Sequence, residues 1–206
     1  MEIVLANLSK SYGAHSVLNH INYTFRGPGL YIVFGHSGCG KTTLLNLLAG
    51  IEKVSTGTLD YTKNNDKCGF VFQHHYLLGD LTCRENIELP LAIRKEKVDK
   101  KTIEAEAEYF QVASILQRKI KHCSGGEAQR VNIMRTLGLN PDFILADEPT
   151  GSVDFVSAQL IKKRLVELSN KKMIIMVTHD RKLFSNLTAT YLTLTDGTLL
   201  DDEVEN

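Results

Sequence analysis

Continuous apolar runs alternate with helix-period segments along the chain. Residues 30–34, 143–146 and 173–177 are apolar runs that are long enough for a buried strand and too short for a helix. The first run precedes a helical segment at 43–49, and the second precedes an amphipathic one at 157–169. Because strands buried on both faces belong to parallel sheets covered by helices, this order predicts an α/β fold with a mainly parallel sheet.

Shorter segments with strand character flank this core. Residues 2–6 and 17–25 predict two strands joined by a polar turn, the second through apolar residues at every other position. Turn residues bound the remaining predicted strands, which are 56–61, 69–72, 191–194 and 198–200. The pair Asp196-Gly197 between the last two predicts a hairpin.

The stretch between the strand at 69–72 and the second buried run has a helical pattern. Thr82 and Glu85 predict a capping box at the start of a helix that reaches residue 93, within which Pro90 predicts a bend or an interruption. An amphipathic pattern at 98–117 predicts a longer helix. These segments predict a helical lobe inserted into the sheet.

Composition limits the classes of function. A chain of 206 residues favours one domain, and its 24 basic and 24 acidic residues cancel, so no nucleic-acid partner is expected. The four cysteines form no Cys-x-x-Cys pair, which predicts neither a zinc site nor a disulfide framework and fits a reducing compartment. The N-terminus lacks a signal-peptide pattern, and no apolar run approaches the about 20 residues that span a bilayer. We therefore expect any membrane role to depend on another chain.

The strongest chemical signal is the glycine-rich turn after the first buried run. The sequence Gly35-His36-Ser37-Gly38-Cys39-Gly40-Lys41-Thr42 matches Gly-x-x-x-x-Gly-Lys-Thr between a predicted strand and a predicted helix. Such a turn points amide hydrogens at phosphates, where Lys41 reaches the β- and γ-phosphates and Thr42 ligates Mg²⁺. The alternative is a glycine-rich turn without a ligand. The full pattern in this context predicts nucleotide binding.

Polar residues also follow three other predicted strands. Asp147 and Glu148 end the second buried run, where one carboxylate could hold Mg²⁺ and the other could orient or deprotonate a water. His179 could meet a γ-phosphate, and the amide of Gln73 could meet a metal or a water. The alternatives are an exposed acidic turn, a structural histidine and an ordinary strand-end glutamine.

Two further features are ambiguous when considered alone. Tyr12, on the polar turn between the first two strands, could stack on an adenine base or pack its ring on neighbouring strands. Ser124-Gly125-Gly126-Glu127 at a helix start could form a second anion-binding site or an ordinary serine cap.

The order of these segments resembles the ATP-binding subunit of ATP-binding-cassette (ABC) transporters over nearly the whole chain. The motifs of that family correspond here to Tyr12 (A-loop), Gly35 to Thr42 (Walker A), Gln73 (Q-loop), Ser124 to Glu127 (signature), Phe143 to Asp147 (Walker B), Glu148 (catalytic glutamate), Gly151 to Asp154 (D-loop) and His179 (switch histidine). Among the branches of the family, the motifs most resemble the one that serves lipoprotein release, macrolide efflux and peptide or bacteriocin export and resistance.

The chain departs from the family pattern at a few positions. Cys123 stands where Leu usually precedes the signature serine, Glu127 replaces the commoner Gln, and Val153 replaces the usual D-loop Leu. The stretch 57–73 is shorter than is usual in the branch. These departures bear on subfamily and cargo rather than on ATP chemistry.

The resemblance implies a fold and a set of site residues. The fold is a P-loop NTPase core with a mainly parallel sheet, an N-terminal antiparallel β subdomain and a helical subdomain at about 74–140, all within a single ATPase domain. Expected ATP contacts are Tyr12, Gly35, His36, Ser37, Gly38, Cys39, Gly40, Lys41, Thr42, Thr43 and Gln73. Expected Mg²⁺ ligands are Thr42, Gln73 and Asp147, and the expected catalytic residues are Glu148, His179 and Lys41.

The resemblance also implies partners. Two cassettes, identical or not, would pack head to tail with ATP between Lys41 of one and the signature of the other, which contributes Ser124, Gly125, Gly126 and Glu127 in trans together with Asp154. Gln73 and residues 77–88 would face a separate membrane permease, which would hold the chain at the cytoplasmic face of the membrane and export a lipid, peptide or drug-like cargo.

The sequence leaves other functions to be considered. A non-transport ABC ATPase acting on ribosomes or DNA would be expected to carry twin cassettes or a long coiled-coil insertion. The signature and the switch histidine argue against a P-loop kinase or GTPase. An ATPase that senses a peptide and transmits conformational change without transport would have the same sequence features.

Overall fold

The computed structural model describes residues 1–62, 68–151 and 153–202. The sequence predicts a polar loop at 63–67 and an acidic tail at 201–206. The loop, Ser152 of the D-loop segment and the last four residues of the tail lie outside the described residues.

The strands of the described residues form two sheets. They are β1 (Glu2–Tyr12), β2 (His15–Arg26), β3 (Gly29–Phe34), β4 (Thr56–Tyr61), β5 (Cys68–Val71), β6 (Phe143–Asp147), β7 (Met173–Thr178), β8 (Thr190–Thr195) and β9 (Thr198–Asp201). A six-stranded sheet has the order β5-β6-β7-β3-β8-β9, and a three-stranded sheet has the order β2-β1-β4. The first is parallel except for β9, and the second is antiparallel, as predicted.

Burial explains the pairing of the central strands. Every residue of β6 and β7 is buried, as are all residues of β3 except Gly29. The register pairs Phe34 with Thr178 and Asp147 with Val177, so the carboxyl ends of these three strands meet at one edge of the sheet. The residues that follow the strands are thereby brought to a common place.

The two faces of the central sheet pack into separate apolar cores, because side chains alternate along each strand. On one face, Ile32, Ile144 and Ile174 belong to a core that continues into the helical lobe. On the other face, Val33 and Leu145 belong to a core shared with the N-terminal sheet and the first helix.

The helices carry the lobe and cover the sheet. They are α1 (Lys41–Leu48), α2 (Cys83–Ile93), α3 (Lys100–Tyr109), α4 (Gly125–Gly138), α5 (Phe155–Ser169) and the short α6 (Arg181–Phe184), which the sequence pattern does not predict. The predicted capping box of α2 is present, with Thr82 Oγ1 accepting from Glu85 N at 3.1 Å and Glu85 Oε2 accepting from Thr82 N at 2.7 Å. Pro90 does not interrupt α2, which runs on to Ile93.

The long helix predicted at 98–117 is wrong in extent. Asp99 caps a helix of ten residues that ends at Tyr109, because Gln111 adopts the left-handed region at φ 55°. A 3₁₀ turn over Ala113–Ile115 follows. The apolar period continues past the helix end because residues such as Val112 remain in the core of the lobe, where irregular backbone buries them equally well.

The position before the signature serine is part of that core. Cys123 Sγ lies 3.5 Å from Cys83 Sγ at the start of α2. Burial, followed by the hydrogen bond with Cys123, raises the pKa of the Cys83 thiol to about 12. Cys83 therefore packs as a small neutral side chain.

A buried amide organises the chain between β5 and α2. Asn86 accepts a hydrogen bond from Leu78 N at 2.8 Å and donates to Leu78 O at 3.1 Å and Thr82 O at 2.9 Å. The Asn86 side chain is almost fully buried, so its amide depends on these backbone groups for its hydrogen bonds.

We predict that Asn86→Ala lowers the free energy of unfolding by about 2 kcal/mol, because the Leu78 amide and carbonyl lose the buried side chain that is their partner. Urea denaturation monitored by circular dichroism measures the loss. The matched control is Asn170→Ala at the exposed end of α5, which should change stability by less than about 0.5 kcal/mol. Equal effects of the two substitutions would contradict the structural role of Asn86.

Candidate active site

The glycine-rich turn between β3 and α1 folds as tightly as its sequence predicts. Gly38 and Gly40 adopt left-handed φ values of 82° and 105°. A Cβ at Gly40 would lie 2.9 Å from Val17 Cγ1, and a Cβ at Gly35 would lie 2.7 Å from Leu194 O. Glycine is therefore required by conformation at 38, by space at 35, and by both at 40.

Lys41 is buried at the centre of this turn. Its Nζ donates to the carbonyls of Gly35 at 2.8 Å and His36 at 3.0 Å, and it lies 3.8 Å from Glu148 Oε1. The ammonium group is thus held where the turn, the helix start and the carboxylate converge. Its contacts are exchangeable, because a phosphate oxygen would be a stronger partner for an ammonium than a carbonyl.

Thr42 and Asp147 form the oxygen-rich part of the site. Thr42 Oγ1 donates to Asp147 Oδ2 at 2.7 Å. Burial raises the pKa of the Asp147 carboxyl, and the hydrogen bond from Thr42 opposes that shift. A cation bound to this carboxylate would offset the cost of its burial.

These residues fit the Mg²⁺ that the family resemblance implies. Mg²⁺ prefers oxygen ligands and keeps several waters, so one hydroxyl, one carboxylate and the amide oxygen of Gln73 are a suitable protein contribution. Within the part of the chain that the structure describes, no three His, Cys, Asp or Glu side chains cluster as a metal site. The remaining ligands would have to come from water and from phosphate.

Glu148 and His179 are brought together by the pairing of β6 with β7. His179 Nδ1 lies 3.0 Å from Glu148 Oε1, and His179 N donates to Glu148 Oε2 at 3.3 Å. Glu148 itself has a φ of 45°, and its N donates to Val177 O at 3.0 Å. A left-handed glutamate is costly unless its surroundings fix it, and such residues concentrate at functional sites.

One cavity of about 520 Å³ joins these side chains. Its lining contains ten of the predicted site residues, which are Ser37, Gly38, Gly40, Lys41, Thr42, Thr43, Gln73, Asp147, Glu148 and His179. Gly35 and His36 line an adjoining cavity of about 330 Å³, and Cys39 is buried behind the turn. The structure therefore assembles most of the predicted residues in one place.

Val17 also lines the main cavity, although sequence reasoning does not identify it. It stands near the start of β2, which passes beneath the glycine-rich turn. A valine carries no chemical signal, so only the position of β2 against the turn reveals it.

Tyr12 stands beside the site rather than in the lining of the main cavity. It is 47% exposed, its hydroxyl donates to Glu52, and Lys10 Nζ lies 4.8 Å from the centre of its ring. The hydrogen bond raises the pKa of Tyr12 and lowers the pKa of Glu52. Glu52 is a further residue that the sequence does not single out, and it ties the aromatic turn to the chain after α1.

The signature segment forms a separate, capped helix start. Ser124 and Glu127 make a capping box on α4, with Glu127 N donating to Ser124 Oγ at 3.2 Å and Ser124 N donating to Glu127 Oε2 at 2.7 Å. Ser124 and Gly125 are exposed, and among the described residues none of 124–127 lines the main cavity. The two predicted anion sites of one chain are therefore distinct.

Asp154 holds the start of α5 against this helix start. Its carboxylate accepts from Ser157 N at 2.9 Å and Ser157 Oγ at 2.6 Å, which lowers the pKa of Asp154. A Cβ at Gly126 would lie 2.6 Å from both Asp154 Oδ2 and Ser157 Oγ. Glycine at 126 is thus required by the close approach of α4 to α5.

Comparisons with known proteins agree with this geometry. A family model described as "ABC transporter" matches residues 18–151. The chain is 36% identical over 223 positions to the lipoprotein-releasing system ATP-binding protein LolD of Francisella tularensis, with 96% of each covered. It is 37% identical to the uncharacterized ABC transporter ATP-binding protein YvrO of Bacillus subtilis, over 98% of this chain and 96% of that one. It is 33% identical to the macrolide export ATP-binding/permease protein MacB of Campylobacter jejuni, over 97% of this chain and 34% of that protein.

The alignment with LolD spans more positions than the 206 residues of this chain, so that relative has residues that this chain lacks. Their location at 57–73 stays a prediction.

Solved structures match over the same extent. The dimeric structure of MJ0796, a bacterial ABC transporter cassette, superposes with a TM-score of 0.86 at 29% identity over 96% of both chains. A dimeric post-hydrolysis state of MJ0796 bound to ADP and Pi gives a TM-score of 0.83 at 30% identity over 96% of both chains. The chain therefore belongs to the ABC transporter family, as an ATP-binding cassette that hydrolyses ATP with Mg²⁺.

Proposed function

We propose that this ATPase works as a head-to-tail pair that drives a membrane permease. The observation that carries the proposal is the separation of the phosphate cavity from the exposed, capped start of α4 in the same chain. A helix start with an exposed serine and glycine can bind an anion only if one is brought to it. A second cassette with its own nucleotide would bring that anion, and the solved cassettes named above are described as dimeric.

In the proposed site each predicted residue has one task. The glycine-rich turn and Lys41 hold the β- and γ-phosphates, and Tyr12 stacks on the adenine. Thr42, Gln73 and Asp147 hold Mg²⁺, which when bound neutralises charge on the phosphate oxygens. Ser124, Gly125, Gly126 and Glu127 close the opposite site in trans, with Asp154 between the two halves.

Hydrolysis would use the pair Glu148 and His179. Glu148 accepts a proton from the attacking water as the water oxygen bonds the γ-phosphorus and the bond to the bridging oxygen of ADP breaks. His179 uses Nδ1 for the Glu148 carboxylate, so Nε2 is the nitrogen that could meet a γ-phosphate oxygen. Lys41 Nζ lies 3.8 Å from Glu148 Oε1, so the phosphate-binding ammonium and the base adjoin in one site.

A groove on the lobe side offers the permease a place to bind. It has a volume of about 530 Å³ and an apolar lining that includes Ile51, Phe70, Phe72, Tyr76, Pro90 and Leu139. Tyr76 is 68% exposed, and it follows Gln73 by three residues. We propose that a cytoplasmic segment of the permease inserts an apolar side chain here, which links its movement to Gln73.

The names of the relatives favour export. They refer to a lipoprotein-releasing system and to macrolide export. The macrolide export protein MacB is described as an ATP-binding and permease protein in one chain. No helix in the described ranges is both long and apolar enough to cross a bilayer. We propose that residues 1–206 form one ATPase domain, with 74–140 as its helical lobe, and that a separate permease holds it at the cytoplasmic membrane face for export of a lipid, peptide or drug-like cargo.

A sensor that transmits conformational change without transport is the second candidate, because the same groove and site would serve it. Co-purification with a permease separates both candidates from an ATPase without a membrane partner. Cargo uptake into vesicles then separates the transporter from the sensor.

We predict that Glu148→Gln lowers the steady-state ATPase rate by at least about 100-fold while ATP binding persists, because the amide cannot accept the proton of water. Phosphate release and light scattering with MgATP measure the rate and the trapped dimer. Undiminished turnover in this variant would reject Glu148 as the base.

We predict that Ser124→Arg abolishes the ATP-dependent dimer, because a bulky cation replaces the hydroxyl at the exposed helix start, while nucleotide binding to the single chain stays within about threefold of the wild type. Light scattering and a fluorescent nucleotide provide the two readouts. Ser114→Arg, at an exposed serine in the 3₁₀ turn of the same lobe, is the matched control and should still dimerise. Persistence of the dimer in Ser124→Arg would contradict the shared site.

We predict that Tyr76→Asp reduces the amount of permease captured by the tagged chain at least about tenfold, because a charge enters the apolar groove. Capture from detergent-solubilised membranes of the source cells, with the permease identified by its spanning segments, is the measurement. Leu200→Asp, at an exposed leucine on β9, should capture the wild-type amount. Equal capture by both variants would place the permease elsewhere.

A further inference from the structure

One face of α4 carries polar side chains that point into the protein. Gln129, Asn132, Arg135 and Thr136 follow the spacing of one helix face, and the first two and Thr136 are buried. Burial of this many polar groups is costly unless each finds a partner. Their partners show what the face does.

Two of these side chains hold β5 and the segment that follows it. Arg135 donates to His75 O at 2.7 Å and to Tyr76 O at 2.9 Å, and Thr136 Oγ1 donates to Phe70 O at 3.1 Å. Residues 70–76 are thus hydrogen-bonded to α4, while Phe70, Phe72 and Tyr76 line the apolar groove. A displacement of the groove wall would therefore be passed to α4.

Gln129 reaches in two directions. Its Oε1 accepts from His75 Nδ1 at 2.7 Å and from Asn132 Nδ2 at 3.2 Å, and its Nε2 donates to Pro149 O at 2.8 Å. Because the Pro149 carbonyl can only accept, the amide orientation is fixed, and His75 must donate from Nδ1. The amide is 2% exposed, so water does not compete for these bonds.

The carbonyl that Gln129 holds belongs to the residue after Glu148. Glu148 keeps its left-handed conformation through Glu148 N to Val177 O at 3.0 Å and Gly151 N to Glu148 O at 3.0 Å. The bond from Gln129 to Pro149 O adds a third fixed point. Release of that carbonyl would let the turn relax and would turn the Glu148 carboxylate away from the cavity.

We propose that Gln129 is a positioning residue that couples the groove-lining segment, through His75, to the peptide after Glu148. Binding of the permease in the groove thereby sets the orientation of the Glu148 carboxylate. This proposal rests on the proposed function, because it takes Glu148 as the base. Gln129 is not among the residues that line the main cavity, and it acts through Pro149.

The test compares variants of the full chain in an MgATP hydrolysis assay, with kcat and KM determined separately. Gln129→Ala and His75→Ala should each lower kcat at least about fivefold and leave KM for ATP within about twofold. The reason is that the Glu148 carboxylate loses its orientation while the ATP-binding residues are unchanged. The double variant should be no slower than the slower single variant, since both substitutions remove the same His75–Gln129–Pro149 connection. His75→Asn should recover most of kcat, because its amide nitrogen can take the place of Nδ1, whereas His75→Gln should not.

The control on the same face of α4 is Thr136→Val, which removes the hydrogen bond to Phe70 O and does not reach Pro149. It should lose stability, measured by thermal unfolding, yet keep kcat within about twofold. A wild-type kcat in Gln129→Ala, an equal fall in Thr136→Val, or a His75→Asn variant no faster than His75→Ala would overturn the coupling. Undiminished hydrolysis by Glu148→Gln in the same assay would instead reject Glu148 as the base in the proposed function, which keeps the two failures distinct.

Discussion

Parallel pairing of β6 with its neighbours is the constraint on which the rest of the molecule depends. Because β3, β6 and β7 run in the same direction, the turn after Phe34, the acids after Ala146 and the histidine after Thr178 all emerge at one edge. No local feature of any one segment would bring Lys41 within 3.8 Å of Glu148. The site is a product of topology, and its chemistry follows from the residues that each strand delivers.

The site is held mainly by neutral hydrogen bonds. Charged groups meet in the cavity, but the turn after Glu148 is fixed by the amide of Gln129, which in turn accepts a hydrogen bond from Asn132. Such bonds are directional and do not depend on ionisation, so they fix geometry without changing the charge of the catalytic groups. This arrangement leaves Lys41 and Glu148 free to exchange partners.

Sequence reasoning predicts the parts of this structure that depend on local pattern. Burial, helix capping and left-handed φ each restrict the residue types that a position accepts. For this reason the sequence predicts the three buried runs, the hairpin, the capping box at Thr82 and the turn with Gly40. The end of α3 was not predictable, since Gln111 is a poor indicator of a left-handed residue and the apolar period runs past it. Val17, Glu52 and Gln129 were missed as well, because each acts through contacts with segments distant in sequence.

The apolar core of the helical lobe is continuous with one face of the central sheet. Phe110 and Ile115 of the lobe share a single cluster with Ile32 and Ile144 of the sheet. The lobe therefore has no independent core, and cutting it out as a module for transplantation into another cassette would expose the interior of both pieces. Any motion of the lobe against the sheet would accordingly be a sliding of packed surfaces over small distances rather than a hinge rotation about a flexible joint.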